Sequence, residues 1–195
     1  LRQRAQAIRR WHGGYGRRCH RPTRCPGLPL DDDEVGTRIL KGLSRRGVQT
    51  DGIRRISDAQ SPVSSVVIGR DGERQAIVFL GCDLDNNADW LPLDRISEVN
   101  AVLVDPRWPE AAMATLERVL EHHIPAILDA DVGPDPVPRE LVELATHAIF
   151  SHAGLTQFTG TSDIPTALYK ARDSSEAVIV SPQVPRASNG FRRKI

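Results

Sequence analysis

Four short apolar runs set the tightest limit on what this chain can become. "AVLV" at 101–104, "PAIL" at 125–128, "HAIF" at 147–150 and "AVIV" at 177–180 recur every 22 to 30 residues or so. Between them lie helical segments. Pro109 is a good first helical residue before "EAAMATLERVLEHH", Pro138 opens "PRELVELA", and Asp163 can cap "IPTALYKA". Strand and helix in alternation describe repeated βαβ units. Continuous apolar runs suit parallel strands buried on both faces. The expected class is α/β, a layered parallel sheet with helices on both faces. Ligands of such sheets gather at the carboxyl ends of the strands. That rule picks out "VDPRW", "LDADV" and "FSHAG".

The preceding segment reads differently. Asp31, Asp32 or Asp33 can N-cap a helix, because a carboxylate accepts orphan N–H bonds and suits the dipole. Val35, Ile39, Leu40 and Leu43 follow at helical spacing, and Gly47 is a plausible stop. Two β-rich runs, Ser64–Ile68 and Gln75–Leu80, flank "RDGE"; Asp71-Gly72 predicts a tight hairpin turn. Glu73 and Arg74 are expected as solvated turn residues.

Charge divides the 195 residues into three stretches. Residues 1–30 carry eight Lys or Arg and no acid, 31–180 carry fourteen against all twenty-five acids, and 181–195 carry four and no acid. The acidic body has no general affinity for nucleic acid, and none is expected as a partner. The basic head invites RNA, lipid-phosphate or transit-peptide readings, but it lacks stacking aromatics and amphipathic order, so disorder is expected. No apolar run approaches the eighteen or so residues of a spanning helix, so no membrane is expected. Cys19, Cys25 and Cys82 do not form a disulfide framework, which points to the reducing cytoplasm. Cys19, His20 and Cys25 suggest zinc, but no second ligand pair follows at finger spacing, and no metal site is expected.

The ordered set of segments resembles the ribokinase (PfkB) family of carbohydrate kinases over about 31–180. "DDDEVGTRILKGLSRRGVQTDGI" is similar to the family's G-D-D-x-x-G turn, helix and G-V-x-T exit. "SPVSSVVIGRDGERQAIVF" is similar to its lid hairpin, about residues 61–81. "ILDADVG" falls where many members have Asp-x-Asn, and "FSHAGLTQFTG" where they have N-E-x-E-x-x-x-L-T-G. Within the family, "LVDPRWPEAA" and "FSHAGL" look most like the sulfofructose kinase branch. The resemblance implies a ribokinase-like fold, here incomplete, and ATP- and Mg2+-dependent phosphorylation of a sugar or sugar-derivative hydroxyl. It also implies a lid that can carry a homodimer contact.

The chain departs from the pattern at both ends. No Gly-Ala-Gly-Asp, the family's base and phosphate cradle, occurs anywhere, so no catalytic residue is assigned and inactivity as given is expected. The head has Gly13-Gly14 but no matching Asn. Ser151 and Gly154 stand where the family has its magnesium-linked Asn-x-x-Glu. The domain plan is therefore a non-native or disordered head (1–30), the middle of a kinase (31–180) and a non-native tail (181–195), as frame errors in GC-rich DNA would give. Such a body, with strand edges and apolar faces left open, is expected to be poorly soluble.

Candidate substrate-binding residues are Asp32, Asp33, Asp105, Arg107, Asp129 and Asp131. Asp32 and Asp33 either line a sugar site or cap the helix. Arg107 either binds an anionic sugar substituent or pairs with Asp105 or Glu110. Asp129 and Asp131 either contact sugar hydroxyls or Mg-ATP, or serve the loop before Pro134. His152 is a possible acid/base, and His122 and His123 suit a helix C-terminus. The rival functions are a non-catalytic sugar- or nucleotide-binding protein with an Arg-rich arm, and a structural subunit pairing through the hairpin. Resequencing the coding DNA around codons 30 and 180 tests the frame-error expectation. Another frame should supply Gly-Gly-x-x-x-Asn upstream and Gly-Ala-Gly-Asp downstream; clean frames would remove it.

Overall fold

The computed structural model describes residues 28–70, 74–79, 81–83 and 87–181. The basic head through residue 27, with Cys19, His20 and Cys25, the Asp71-Gly72 turn with Glu73, and the tail from 182 lie outside the described residues. The chain divides into two compact units, Leu1–Pro92 and Leu93–Ile195.

In the first unit, β1 (Leu28–Asp31) leads through α1 (Glu34–Ser44) to β2 (Ile53–Ile56), which pairs with β1 in parallel from Leu28↔Ile53 to Asp31↔Ile56. Of the three candidate caps, Asp33 is the one used: its carboxylate accepts the Gly36 N–H at 2.5 Å. Leu43 from the expected stripe is buried, and the chain leaves the helix through Gly47 at φ +74°. The hairpin forms as β3 (Val63–Ile68) against β4 (Arg74–Phe79), in register from Val63↔Phe79 to Ile68↔Arg74. Val66, Val67, Ile68, Ile77, Val78 and Phe79 are all exposed, so apolar side chains stand open on both of its faces.

The second unit contains the βαβ series. A 3-10 turn (Leu93–Glu98) precedes β5 (Val102–Val104), α2 (Pro109–Glu121), β6 (Ala126–Ala130), α3 (Arg139–Leu144), β7 (His147–Phe150), α4 (His152–Thr159), α5 (Ile164–Arg172) and β8 (Val178–Val180). The strands are parallel in the order β5-β6-β7-β8. β6 runs two residues beyond the expected run, because pairing with β7 continues through Asp129↔Ile149 and Ala130↔Phe150.

Residues in register share a face of a sheet. Val104, Leu128, Ala148 and Ile179 form one such row, and it lies in the core with Val102, Ala126, Ala130 and Phe150. Against it pack Ala112, Leu116 and Val119 of α2, Leu141 and Val142 of α3, Leu155 of α4, and Ala167 and Ala171 of α5. The small Ala residues let the helices approach closely, and the Phe150 and Phe158 rings meet at 5.2 Å. The opposite face carries Leu103, Ile127, Asp129, His147, Ile149, Val178 and Val180. Only Ile127 of these is buried; Val178 is 53% exposed. The α/β class and the parallel sheet expected from the sequence are what this unit has, and its described helices pack on the face of that core row.

Caps hold the helices. Ser151 Oγ accepts the Gly154 N–H at 3.0 Å, and α4 ends at Gly160 with φ +70°. Asp163 caps α5; hydrogen bonds from the Thr166 hydroxyl and N–H hold its carboxyl below the usual range. The asymmetry of the sheet is measurable. Leu128→Ala, on the buried face, should cost about 2–5 kcal/mol in a denaturant titration. Leu103→Ala, on the open face, should change stability by about 0.5 kcal/mol or less.

Candidate functional site

The carboxyl ends of β5, β6 and β7 lie side by side, and four of the six candidate residues stand there. Asp105 follows β5 directly. Its Oδ1 accepts the Arg107 N–H at 2.8 Å, and its Oδ2 lies 3.8 Å from Arg107 Nε. Arg107 Nη2 donates to the Val132 carbonyl at 3.3 Å, tying the loop after β5 to the loop after β6. Between the two pairings expected of Arg107, the partner is therefore Asp105. Asp131 Oδ1 accepts the Val132 N–H at 2.8 Å, and its own N–H donates to the Asp129 carbonyl at 3.0 Å. Asp129, expected past the strand end, is half-buried within β6 because of the longer pairing with β7.

The loop after β6 has a second anchor with no counterpart in the sequence reading. Gln157, on α4, donates from Nε2 to the Gly133 carbonyl at 3.0 Å, and its Oε1 accepts the Gly133 N–H at 3.4 Å. The side-chain amide thus pairs with a backbone amide as a neighbouring strand would. The two residues are separated by 24 positions, and no local periodicity connects them. α4 itself is seated by Gly154, where a Cβ would collide with the Ala130 carbonyl at the end of β6. His152, at the start of α4, is exposed.

The remaining two candidates lie in the first unit. Asp33 accepts from the Gly36 N–H and from Ser61 Oγ at 3.2 Å, so capping is the role its geometry supports. Asp32 is exposed; its N–H is shared between Asp31 Oδ1 at 2.6 Å and the Ile56 carbonyl at 3.2 Å. Asp31, absent from the substrate-binding set, is buried. Burial pushes its carboxyl above the ordinary value, the Asp32 N–H opposes this, and the Asp32 side chain and the charges of Asp33 and Asp32 add to the rise. Cys82 is an exposed free thiol whose pKa is raised, first by its hydrogen bond with Asp83, then by desolvation and the charges of Asp83 and Asp31. Gly36 repeats the device at Gly154: a Cβ there would strike the Asp31 carbonyl.

Residues 28–182 match the model of the pfkB family carbohydrate kinases. The chain belongs to that family. It is similar to the ribokinase of Bacillus subtilis (strain 168), 28% identical over 121 residues that make up 60% of this chain and 41% of that protein. Among solved structures, a provisionally assigned ribokinase from Agrobacterium tumefaciens is 37% identical, with a TM-score of 0.67, covering 74% of this chain and 48% of that one. Arabidopsis thaliana ribokinase, solved with ribose and ATP, gives a TM-score of 0.64 at 22% identity over 82% of this chain and 55% of its own. The chain thus spans about half the length of the relatives it matches.

Among the described residues no group of three or more His, Cys, Asp or Glu is placed to hold a metal ion by itself. Ser151 and Gly154 supply no carboxylate where the family resemblance puts a magnesium-linked pair, and Ser151 Oγ is committed to the cap. No helix among the described residues is long and apolar enough to cross a membrane.

The Gln157 clamp generates a test. Gln157→Leu leaves both Gly133 backbone groups without this partner and should cost about 1–3 kcal/mol. Amide exchange at Gly133 should accelerate by at least tenfold, with the core amides of β6 little changed. An unchanged rate at Gly133 would mean that the clamp does not hold the loop.

Proposed function

We propose that this chain carries a sugar-recognition part of an ATP-dependent carbohydrate kinase, and that these residues alone bind a sugar without transferring phosphate. The observation that carries the reading is the meeting of Asp105, Arg107 and Asp131 at neighbouring strand ends in a pfkB-family chain. Carboxylates accept hydrogen bonds from sugar hydroxyls, and an Arg fork donates to them. The reading is supported by the rule that open α/β sheets bind ligands at this end. ATP enters as the proposed phosphoryl donor because a relative of this fold, Arabidopsis ribokinase, is solved with ribose and ATP.

The charge balance favours a neutral sugar over an anionic one. Asp105 and Asp131 bring two carboxylates to the Arg107 guanidinium, which already faces Asp105 and the Val132 carbonyl. A sulfonated or phosphorylated sugar, as the sulfofructose kinase-like reading would require, meets net repulsion there. Within the first unit, taken by itself, Asp32 has an exposed carboxylate and stays a candidate sugar contact; the Asp33 carboxylate is occupied by its cap. Phosphoryl transfer needs positioned charge stabilisation and a base for the hydroxyl. The Gly-Ala-Gly-Asp that would provide them is absent from the sequence.

Calorimetric titration with ribose and fructose, paired with an ADP-release assay, tests this reading. Weak binding is expected, weakened at least fivefold by Arg107→Ala, with no ADP released. Sugar-dependent ADP release would overturn the non-catalytic part. Absence of sugar binding would overturn recognition.

A second reading, compatible with the first, is self-association through the hairpin. It is favoured by the apolar side chains exposed on β3 and β4, since a two-stranded ribbon is marginal without something to cover it. Sedimentation should show a concentration-dependent dimer that Val66→Asp and Ile68→Asp abolish. A monomer at all concentrations would remove the pairing role.

A further inference from the structure

The guanidinium of Arg107 is turned in a way that bears on which ligands it can take. Its Nε lies 3.8 Å from Asp105 Oδ2, and its Nη2 donates to the Val132 carbonyl at 3.3 Å. A guanidinium grips a phosphate, sulfonate or carboxylate best with two parallel N–H groups from one edge. Nε and Nη2 form such an edge. Here that edge faces a carboxylate and a backbone carbonyl. While Nη2 stays on the carbonyl, the edge cannot close on an anion.

What keeps the carbonyl in place lies on the other side of the same peptide unit. The Val132 carbonyl and the Gly133 N–H share one peptide plane, and the described residues include no cis peptide bond. In a trans unit the two groups point in opposite directions. Gln157 Oε1 accepts that N–H at 3.4 Å, and Gln157 Nε2 donates to the Gly133 carbonyl at 3.0 Å. Asp131 Oδ1 accepts the Val132 N–H at 2.8 Å. The plane is thus held from α4 on one side and by Arg107 on the other. Turning the Val132 carbonyl away from Arg107 also breaks the Gln157 contact.

We propose that Gln157 is a specificity-determining residue of the strand-end site: by fixing the Val132–Gly133 peptide it keeps Arg107 Nη2 on a backbone carbonyl and withholds the two-pronged grip that an anionic sugar needs. Gln157 touches no ligand in this account. It is a positioning residue that acts through one peptide unit on Arg107. A neutral sugar needs single N–H and carboxylate contacts already in place, and the clamped loop supplies them from Arg107 and Asp131. Releasing the loop frees Nη2 and loosens Asp131 at once. The two sugar classes should therefore respond in opposite directions. The inference rests on the sugar-binding reading and names the residue through which that site prefers neutral sugars.

The test is calorimetric titration of the full 195-residue chain with ribose and with ribose 5-phosphate. Gln157→Leu should weaken ribose and tighten ribose 5-phosphate, moving the ratio of the two affinities by about tenfold, as one released charge-assisted hydrogen bond would. In an Arg107→Ala background the ratio should stay where it is, because no guanidinium is left to release. If Gln157→Leu does not fold, Gln157→Met, nearer in shape and equally without an amide, is read in the same way. An equal loss for both sugars, or no change, would overturn the inference, since a clamp that only supports the loop treats both ligands alike. A shift that persists without Arg107 would overturn it too. No ribose binding by the parent chain would overturn the sugar reading and this inference with it. Ribose binding with an unmoved ratio would overturn this inference alone.

Discussion

Everything in the larger unit depends on one packing arrangement, the seating of α2 to α5 on a single face of four parallel strands. Parallel neighbours cannot be joined by a tight turn, so each strand must wait for a helix to cross over before it finds its partner. The row Val104, Leu128, Ala148 and Ile179 is what those helices bury. It combines branched side chains with an alanine, and Ala112, Ala167 and Ala171 answer from the helix side. The strand ends, and therefore Asp129 and the loops bearing Asp105 and Asp131, are fixed in mutual position by that contact. The chemistry of the loops is a consequence of the packing below them.

The same economy governs how helices begin. At Asp33–Gly36 and at Ser151–Gly154, a cap side chain accepts the N–H of a glycine three residues on. In each case the glycine sits so near a carbonyl at a strand end, Asp31 or Ala130, that a Cβ would not fit. The short cap brings the first turn down onto the strand, and the glycine removes the only atom in the way. Gly154 is thus a packing residue at a position where the family resemblance led one to look for a magnesium-linked carboxylate. A glutamate there would have to move α4 away from β6.

The parts of this structure that were legible in the sequence are those set by local chemistry. The four strands, Pro109 at the start of α2, the Asp163 cap and the hairpin follow from patterns within a dozen residues. Asp33 as a cap was legible as one of three choices, and its use depends also on Ser61, 28 positions away. The length of β6 was not legible, because Asp129 is held in the strand by Ile149 of β7 rather than by its own neighbours. Gln157 was invisible for the same reason: an exposed-looking amide on a helix acquires its role only when the loop after β6 arrives beside it.

The two apolar exposures differ in kind. The hairpin opens both faces of a ribbon, and its strands are already paired with each other; what it lacks is a layer. Among the described residues the β5–β8 sheet opens one face and one edge together, a layer and a strand at once. A second copy of the chain, which brings another hairpin and another open edge related by a two-fold axis, matches the first need. It matches the second poorly. A two-fold axis perpendicular to the sheet would set the β8 edges antiparallel, and both open sheet faces would remain uncovered. Self-association at the hairpin would therefore leave the β8 edge and the open sheet face as they are.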